Sequence, residues 1–475
     1  MELARVRDLL TNRYFIMLLI ITVLGTILRF YRISYQSLWI DEGATYFYCT
    51  RSVLDILTTA EQTPPPFYVL EHYSYILLGH SELALRLPAV LFGIASIVAI
   101  YFLGKEACSK DVGILAALLL SLSPFHILFS QTARSYSIML FFFILFLLFF
   151  IKALKTDSRK DWMIATAFAV LSSYFHFYSV LFVGLAGLFL MMWNKKNKND
   201  QRSSMRNAFF SFKIFIVLSI PLFISAAMNY GHIAKYSPGS AAYWDQGLDF
   251  TYSALSKIFY SNLVSFLVFT IVILFCLYCI YKHEKGKIDA FIFFMASVPL
   301  LVLTGMSFYY GMDARYAFFL VPVYYLVFSM SIRYVPAKYD KKKIAAVAAG
   351  FIVISSVAFL TTYYTTYSNA DFRGAGEALY ANTEPGDTVI YLPPAGDTMY
   401  GPLSFYYDAD SAGTTIFTVY SQDLLNGAIE DAPRDVYLVV CYQNGWGVDQ
   451  YADWISENTE EIFSGYQISV FKCII

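Results

Sequence analysis

Charge is what this sequence has least of: Asp, Glu, Lys and Arg make up 15% of its 475 residues, where ordinary soluble domains carry about a quarter. With 58% hydrophobic residues, that shortage excludes a water-soluble enzyme and points to a polytopic membrane protein. Cysteine is scarce as well. The six lie at 49, 108, 276, 279, 441 and 473, without the Cys and His spacing that holds structural zinc, and Cys276 and Cys279 fall inside an apolar run as packing residues. There is no GxxxxGK[ST], no GxGxxG and no HExxH, so nucleotide-driven transport, dinucleotide chemistry and zinc proteolysis have no support. Neither a nucleotide cofactor nor a nucleic-acid partner is expected. Repeats and Pro-rich tracts are absent too.

Long apolar runs are abundant instead. A helix rising 1.5 Å per residue needs about 20 residues to cross hydrocarbon. About eleven runs approach that length, at 14–31, 85–104, 112–129, 136–154, 162–175, 177–193, 208–228, 261–281, 288–307, 316–334 and 344–364. The 162–193 stretch must be cut near His176 to keep later loops on consistent sides. Arg5, Arg7 and Arg13 precede the first run, which lacks a small-residue cleavage site, so it is expected to remain as an uncleaved span. Alternate loops hold 22 of the 34 Lys and Arg, and the positive-inside rule makes those loops cytoplasmic. The loop 32–84 and everything after the last span are then extracytoplasmic.

The expected fold class is a polytopic α-helical membrane protein with a C-terminal soluble α/β domain. The boundaries are 1–364 for the transmembrane catalytic domain and 365–475 for the outer domain. That last segment has sixteen Asp and Glu against Arg373, Arg434 and Lys472. A helix pattern over 372–382 alternates with strand patterns over 388–392, 436–441 and 467–473, with turn signals at Pro385-Gly386-Asp387 and Asn444-Gly445. Cys441 and Cys473 each end a strand, where a disulfide or two free thiols are equally expected.

Two adjacent carboxylates, Asp41 and Glu42 in Trp39-Ile40-Asp41-Glu42-Gly43, follow the first span. A carboxylate in hydrocarbon costs roughly 2.5 to 3.5 kcal/mol on insertion scales, so such a pair sits in a solvated loop or lines a polar cavity. The same loop holds Glu61, His72 and the block Pro64-Pro65-Pro66, which cannot continue a helix and marks a corner between interfacial helices at 43–57 and 67–80. Arg86, Arg134 and Arg315 fall on the outer side, against the basic trend. An outward Arg either snorkels to headgroups or binds a phosphate bidentately. Three of them, in a protein that also exposes an acidic pair, favour an anionic lipid headgroup beside a general base. Tyr136 and Tyr316 accompany two of these arginines. His126 and His176 are metal-ligand candidates by residue type, but each stands alone at a helix end and reads first as a structural histidine. Tyr243-Trp244-Asp245-Gln246-Gly247 has a superficial likeness to the WWDYG signature of oligosaccharyltransferase catalytic subunits.

Leu38-Trp39-Ile40-Asp41-Glu42, Pro64-Pro65 with Tyr68, Ser81-Glu82-Leu83-Ala84-Leu85-Arg86-Leu87-Pro88, Ser123-Pro124-Phe125-His126 with Gln131, Ala133-Arg134-Ser135-Tyr136-Ser137, Ala314-Arg315-Tyr316 and Asp371-Phe372-Arg373-Gly374-Ala375 occur in that order. Together they resemble the membrane glycosyltransferases of the GT-C fold, in particular the protein O-mannosyltransferase-like and aminoarabinose-transferase-like group. The resemblance is strong over 14–140 and moderate over 310–395. It implies transfer of a sugar, with inversion, from a polyprenyl-phosphate (dolichyl- or undecaprenyl-phosphate) donor in the membrane to a lipid, glycan or protein hydroxyl outside the cytoplasm. It implies Asp41 as base, with Glu42 completing the motif. The growing charge of a leaving lipid phosphate calls for a cation, and Arg134, Tyr136, Arg315, Tyr316 and Arg86, on the outer side, are the candidates for the donor-phosphate site. Some relatives bind a divalent metal cation, for which Glu61 and His126 are the candidate ligands here. The family often has His before the paired prolines, and this chain has Thr63. Transfer of an oligosaccharide to protein Asn and transport of a lipid or glycan are the competing readings. A transporter would place ionisable groups at the midplane or show two related halves.

Overall fold

The computed structural model describes residues 12–58, 63–196, 202–228, 245–283, 286–393, 401–419, 421–442 and 451–474. Eight of its helices are long and apolar enough to cross a membrane: Arg13–Phe30, Glu82–Ala107, Tyr136–Thr156, Arg206–Ala227, Leu263–Lys282, Lys287–Ser307, Ala314–Tyr334 and Lys341–Thr365. Lys110–Ser121 and Pro124–Ser130, bent by 62° to one another, make a ninth when taken as one span. Arg159–Phe175 and Tyr178–Lys196 fill the remaining two expected positions and break at His176. Both fall short of span length: the first has 17 residues and opens on Arg159-Lys160-Asp161, and the second is apolar over Tyr178–Asn194. Side chains such as Ile20, Ile27, Val264, Leu274 and Ile354 stay largely exposed on these helices, as lipid-facing positions do. This is a multi-pass membrane protein.

Two compact units emerge. The first gathers Met1–Tyr31, Leu57–Leu70 and Arg86–Thr362, and the second Arg32–Ile56, Glu71–Leu85 and Tyr363–Ile475. The division differs from 1–364 and 365–475, because two pieces of the first loop cluster with the terminal segment. Hydropathy marks what lipid surrounds, whereas hydrogen bonds and packing decide what folds together.

In the first unit the bend has a visible cause. Pro124 lacks an N–H and opens the helix Pro124–Ser130, while Ser123 caps that helix by accepting from His126 N at 3.2 Å. The last carbonyls of Lys110–Ser121 then need partners. Arg29 supplies them from inside the bundle, where it is fully buried. Its Nη1 donates to Gly25 O and Ser121 O, its Nη2 to Leu120 O, and its Nε to Ser130 Oγ. Gln131 Nε2 holds the same junction by donating to Arg29 O and Tyr31 O at 3.0 and 2.9 Å. Tyr325 Oη lies 2.8 Å from Ser123 Oγ and 2.9 Å from Ile258 O, which fixes the bend against the deeply buried helix Val321–Met330.

The second unit contains a five-stranded sheet of β1 (Thr388–Leu392), β2 (Thr415–Thr418), β3 (Val436–Cys441), β4 (Thr459–Gly465) and β5 (Ile468–Cys473), in the order β2-β1-β3-β5-β4. β1 is parallel to β2 and β3, while β5 is antiparallel to β3 and β4. Alternate residues feed two cores. Val389, Tyr391, Tyr437, Val439, Ile468 and Val470 pack on one face, and Ile390, Leu392, Leu438 and Val440 on the other. Cys441 belongs to the first core and Cys473 to the second, and both are free thiols. The expected helix 372–382 and three strands are present, together with β2 and β4. The Asn444-Gly445 turn lies outside the described residues. Pro385-Gly386-Asp387 forms a turn with Gly386 at φ +95°, closed by Glu384 N donating to Asp387 Oδ2 at 2.7 Å.

Helices Ile40–Cys49 and Val53–Thr58 replace the single expected stretch 43–57, and Pro65 and Pro66 start the helix Pro65–Leu78. Proline is tolerated in a first turn because the N–H it lacks has no helical acceptor there.

Candidate active site

The acidic pair lies in the second unit, in the first turn of Ile40–Cys49. Carboxylates there complement the exposed N–H groups of the helix start. Glu42 reaches back so that Trp39 N donates to its Oε2 at 3.3 Å, and Glu42 is 1% exposed. Asp41 is half-buried, with its backbone carbonyl accepting from Thr45 Oγ1 at 3.1 Å.

Several ties position this helix within its unit. A Cβ on Gly43 would fall 2.6 Å from Pro402 N and 2.7 Å from Gly401 C, so glycine is what lets the two backbones approach so closely. Leu38 N donates to Tyr406 Oη at 2.8 Å, and Tyr406 Oη donates to Glu82 Oε1 at 3.0 Å. Arg373 Nη2 reaches the same Glu82 oxygen at 2.6 Å and Ser34 O at 2.7 Å. Asn369 Nδ2 donates to Ser37 O at 2.8 Å, and Ser37 Oγ accepts from Arg373 N. The Asp371-Phe372-Arg373 motif, with Asn369 beside it, therefore clamps the irregular segment that leads into Asp41.

In the first unit, the arginines singled out from their position come together with aromatic rings. Arg134 follows the helix Pro124–Ser130 and donates from Nη2 to Thr63 Oγ1 at 3.2 Å. Arg315 opens the 3₁₀ segment Ala314–Leu320, whose start is fixed by Arg315 N donating to Asp313 Oδ1 at 2.7 Å. Its guanidinium lies 5.7 Å from the Tyr316 ring centroid, and Tyr316 stacks on Tyr178 at 4.7 Å. Tyr136 and Tyr178 lie 5.3 and 5.7 Å from His176. Burial, then Arg134 and Arg315, hold the His176 imidazole below its ordinary pKa, so both guanidiniums act on this one ring. His176 Nδ1 accepts from Tyr178 N at 3.3 Å, which leaves the proton on Nε2. The result is a cationic and aromatic cluster of Arg134, Tyr136, His176, Tyr178, Arg315 and Tyr316. It can offer two guanidiniums, an imidazole N–H and phenol hydroxyls to an anion. Tyr178 carried no functional signal in the sequence, and His176 stood out only as a candidate metal ligand or structural histidine, not as part of an anion site.

Other candidates fare differently. Arg86 is 1% exposed inside its helix and engaged with partners there. Glu61 lies outside the described residues. His126 is buried, with Nδ1 2.6 Å from Arg29 Nη2, so that nitrogen accepts from a guanidinium. Among the described residues no three His, Cys, Asp or Glu side chains gather as a metal site, and Glu61, the other candidate ligand, is not among them. Tyr243 and Trp244 also fall outside the described residues, while the backbone of Asp245 bridges to Met312.

Comparison with known proteins gives a consistent picture of the fold. Residues 61–224 match the family model described as dolichyl-phosphate-mannose-protein mannosyltransferase. No curated protein matches the chain in sequence. The ArnT structure from Cupriavidus metallidurans bound to undecaprenyl phosphate superposes with a TM-score of 0.66 at 11% identity, covering 96% of this chain and 97% of that one. The oligosaccharyltransferase AglB of Archaeoglobus fulgidus, in complex with an inhibitory peptide and a dolichol-phosphate, superposes with a TM-score of 0.58 at 10% identity over 96% of this chain and 74% of its own. The same archaeal enzyme in complex with Zn and sulfate gives a TM-score of 0.59 at 12% identity, over 95% and 73% of the two chains. With its run of apolar helices and its terminal sheet domain, the chain has the GT-C fold of membrane glycosyltransferases.

Proposed function

We propose that the protein is an extracytoplasmic glycosyltransferase that moves a sugar from a polyprenyl-phosphate donor to an acceptor hydroxyl with inversion. The gathering of Arg134, Arg315, His176 and three tyrosines in the first unit carries this reading, since it is chemistry suited to a lipid phosphate. The donor arrives already activated in the membrane, which fits the absence of nucleotide-binding loops. In the reaction the acceptor oxygen attacks the anomeric carbon, Asp41 takes the hydroxyl proton, and the bond from the anomeric carbon to the phosphate oxygen breaks. The leaving polyprenyl phosphate gains negative charge. Stabilising such developing charge is usually the largest catalytic contribution, and it falls to Arg134 and Arg315. Glu42 holds the start of the acidic helix through Trp39. The distribution of basic loops supports a cytoplasmic N-terminus with Asp41 and the sheet domain outside. No metal-dependent step is assigned, because the described residues gather no ligand set.

Asp41→Asn keeps size and removes the base. Transfer from a polyprenyl-phosphate sugar, at matched protein levels, is expected to fall by roughly 10² to 10⁴. A rate near wild type removes Asp41 from this role.

A further inference from the structure

Glu71 stands out among the groups that this chemistry leaves unused. It lies on the helix Pro65–Leu78, is completely buried, and has neither carboxyl oxygen hydrogen-bonded. Leaving a buried polar group unpaired is costly, and leaving an ionised one unpaired is far more so. The groups that act on it come from the facing helix Ile40–Cys49: Glu42, itself 1% exposed, and the buried Cys49 thiol. On its own helix the adjacent His72 is turned to the Cys49 carbonyl, with Nδ1 at 2.7 Å. Neither Glu42 nor Cys49 brings a positive charge. Burial, then Glu42, hold the Glu71 carboxyl well above the ordinary carboxylate range.

We infer that Glu71 is a positioning residue that works as a neutral carboxylic acid, its proton keeping an unpaired buried charge away from the Glu42 carboxyl in the turn that presents Asp41. Loss of that proton at alkaline pH leaves an uncompensated charge buried against the Glu42 side chain and displaces the first turn of the acidic helix. The alkaline limb of the transfer rate then belongs to Glu71 acting through Glu42. The proton follows from the burial and the missing partners alone. Only its consequence for rate rests on the proposed glycosyl transfer.

The test uses the full-length protein in detergent or nanodiscs. Infrared spectra over a pH titration of the wild type are expected to show a carboxylic-acid carbonyl band at neutral pH that fades as pH rises and is absent from Glu71→Gln. The amide mimics the protonated acid, so its transfer rate should hold to higher pH than wild type by about one unit or more, with the donor KM unchanged. Thermal stability gives a third readout. A carboxyl whose folded pKa is raised binds more protons in the folded state, so wild-type stability is full below the unfolded pKa and declines as pH rises through the folded one. Glu71→Gln removes that decline. Should the amide variant not fold, Glu71→Met offers the same neutral comparison. An acid band that is unchanged by the substitution, or stability profiles that superimpose, overturns the proton. Superimposable alkaline limbs alongside a lost band overturn the coupling to Asp41. A protein inactive with every polyprenyl-phosphate sugar tried still answers the first question through the spectra.

Discussion

His176 is the residue whose meaning changes most between chain and structure. Read alone in Phe175-His176-Phe177, it is an imidazole at a helix break. Folded, it lies under the influence of two guanidiniums that the sequence sets far away on either side, with its Nε2 proton fixed by the Tyr178 N–H. The arginines were legible one by one, because each violates the positive-inside trend. Their shared neighbour was not, since no local pattern encodes which helix ends meet. If the cluster binds the donor phosphate, each arginine supplies a charge-assisted hydrogen bond, worth about 1.5 to 3 kcal/mol. Arg134→Ala and Arg315→Ala are therefore each expected to weaken binding of a labelled polyprenyl phosphate by roughly 10- to 100-fold, measured at equilibrium. Arg315→Lys should recover only part of the loss, because an ammonium lacks the planar fork. Unchanged affinity returns both residues to snorkelling or structural pairing.

The helix Ile40–Cys49 shows what is legible about an element and what is not. Its acidic start is plain in the sequence, but its attachment is not: Gly43 looks like an ordinary small residue until Gly401 and Pro402 are seen against it. β2 and β4 escaped sequence reading for a related reason. They are the outer strands of the sheet, partly exposed, and β4 carries Glu460 and Glu461, the kind of charge that guards an edge rather than the alternation that announces a strand. β1 and β3, buried along their whole length, were clear as apolar runs. The close approach at Gly43 carries its own prediction. Gly43→Leu forces side-chain atoms into backbone that cannot swing aside, so the acidic helix must shift. A misplacement of about 1 Å is enough to cost on the order of 10²-fold in rate. Transfer activity should fall by that order while the melting temperature of the whole protein changes little, and hydrogen exchange should rise locally over 40–49 and 401–406. Wild-type activity in Gly43→Leu shows that the helix is not held there.

At the scale of the whole molecule, hydropathy locates the apolar helical runs but not how residues divide between units, since residues 32–56 and 71–85 fold with the terminal segment despite lying before most of the spans. Orientation is then one decision for the entire protein, because the basic loops must all lie on one side. Two exposed positions report on it. Glu384 sits beside the Gly386 turn of the sheet-bearing unit, and Lys338 lies in the basic segment before the helix Lys341–Thr365. The native thiols give little background, as five are buried and Cys108 is only half-exposed. In intact cells, a membrane-impermeant maleimide is expected to label Glu384→Cys, whereas Lys338→Cys should react only after permeabilisation. The reverse pattern places the sheet-bearing unit, and with it Asp41, on the cytoplasmic side. Transfer would then have to draw on donors and acceptors facing the cytoplasm, and the extracytoplasmic glycosyltransferase reading would fall even if every residue of the site were correctly assigned.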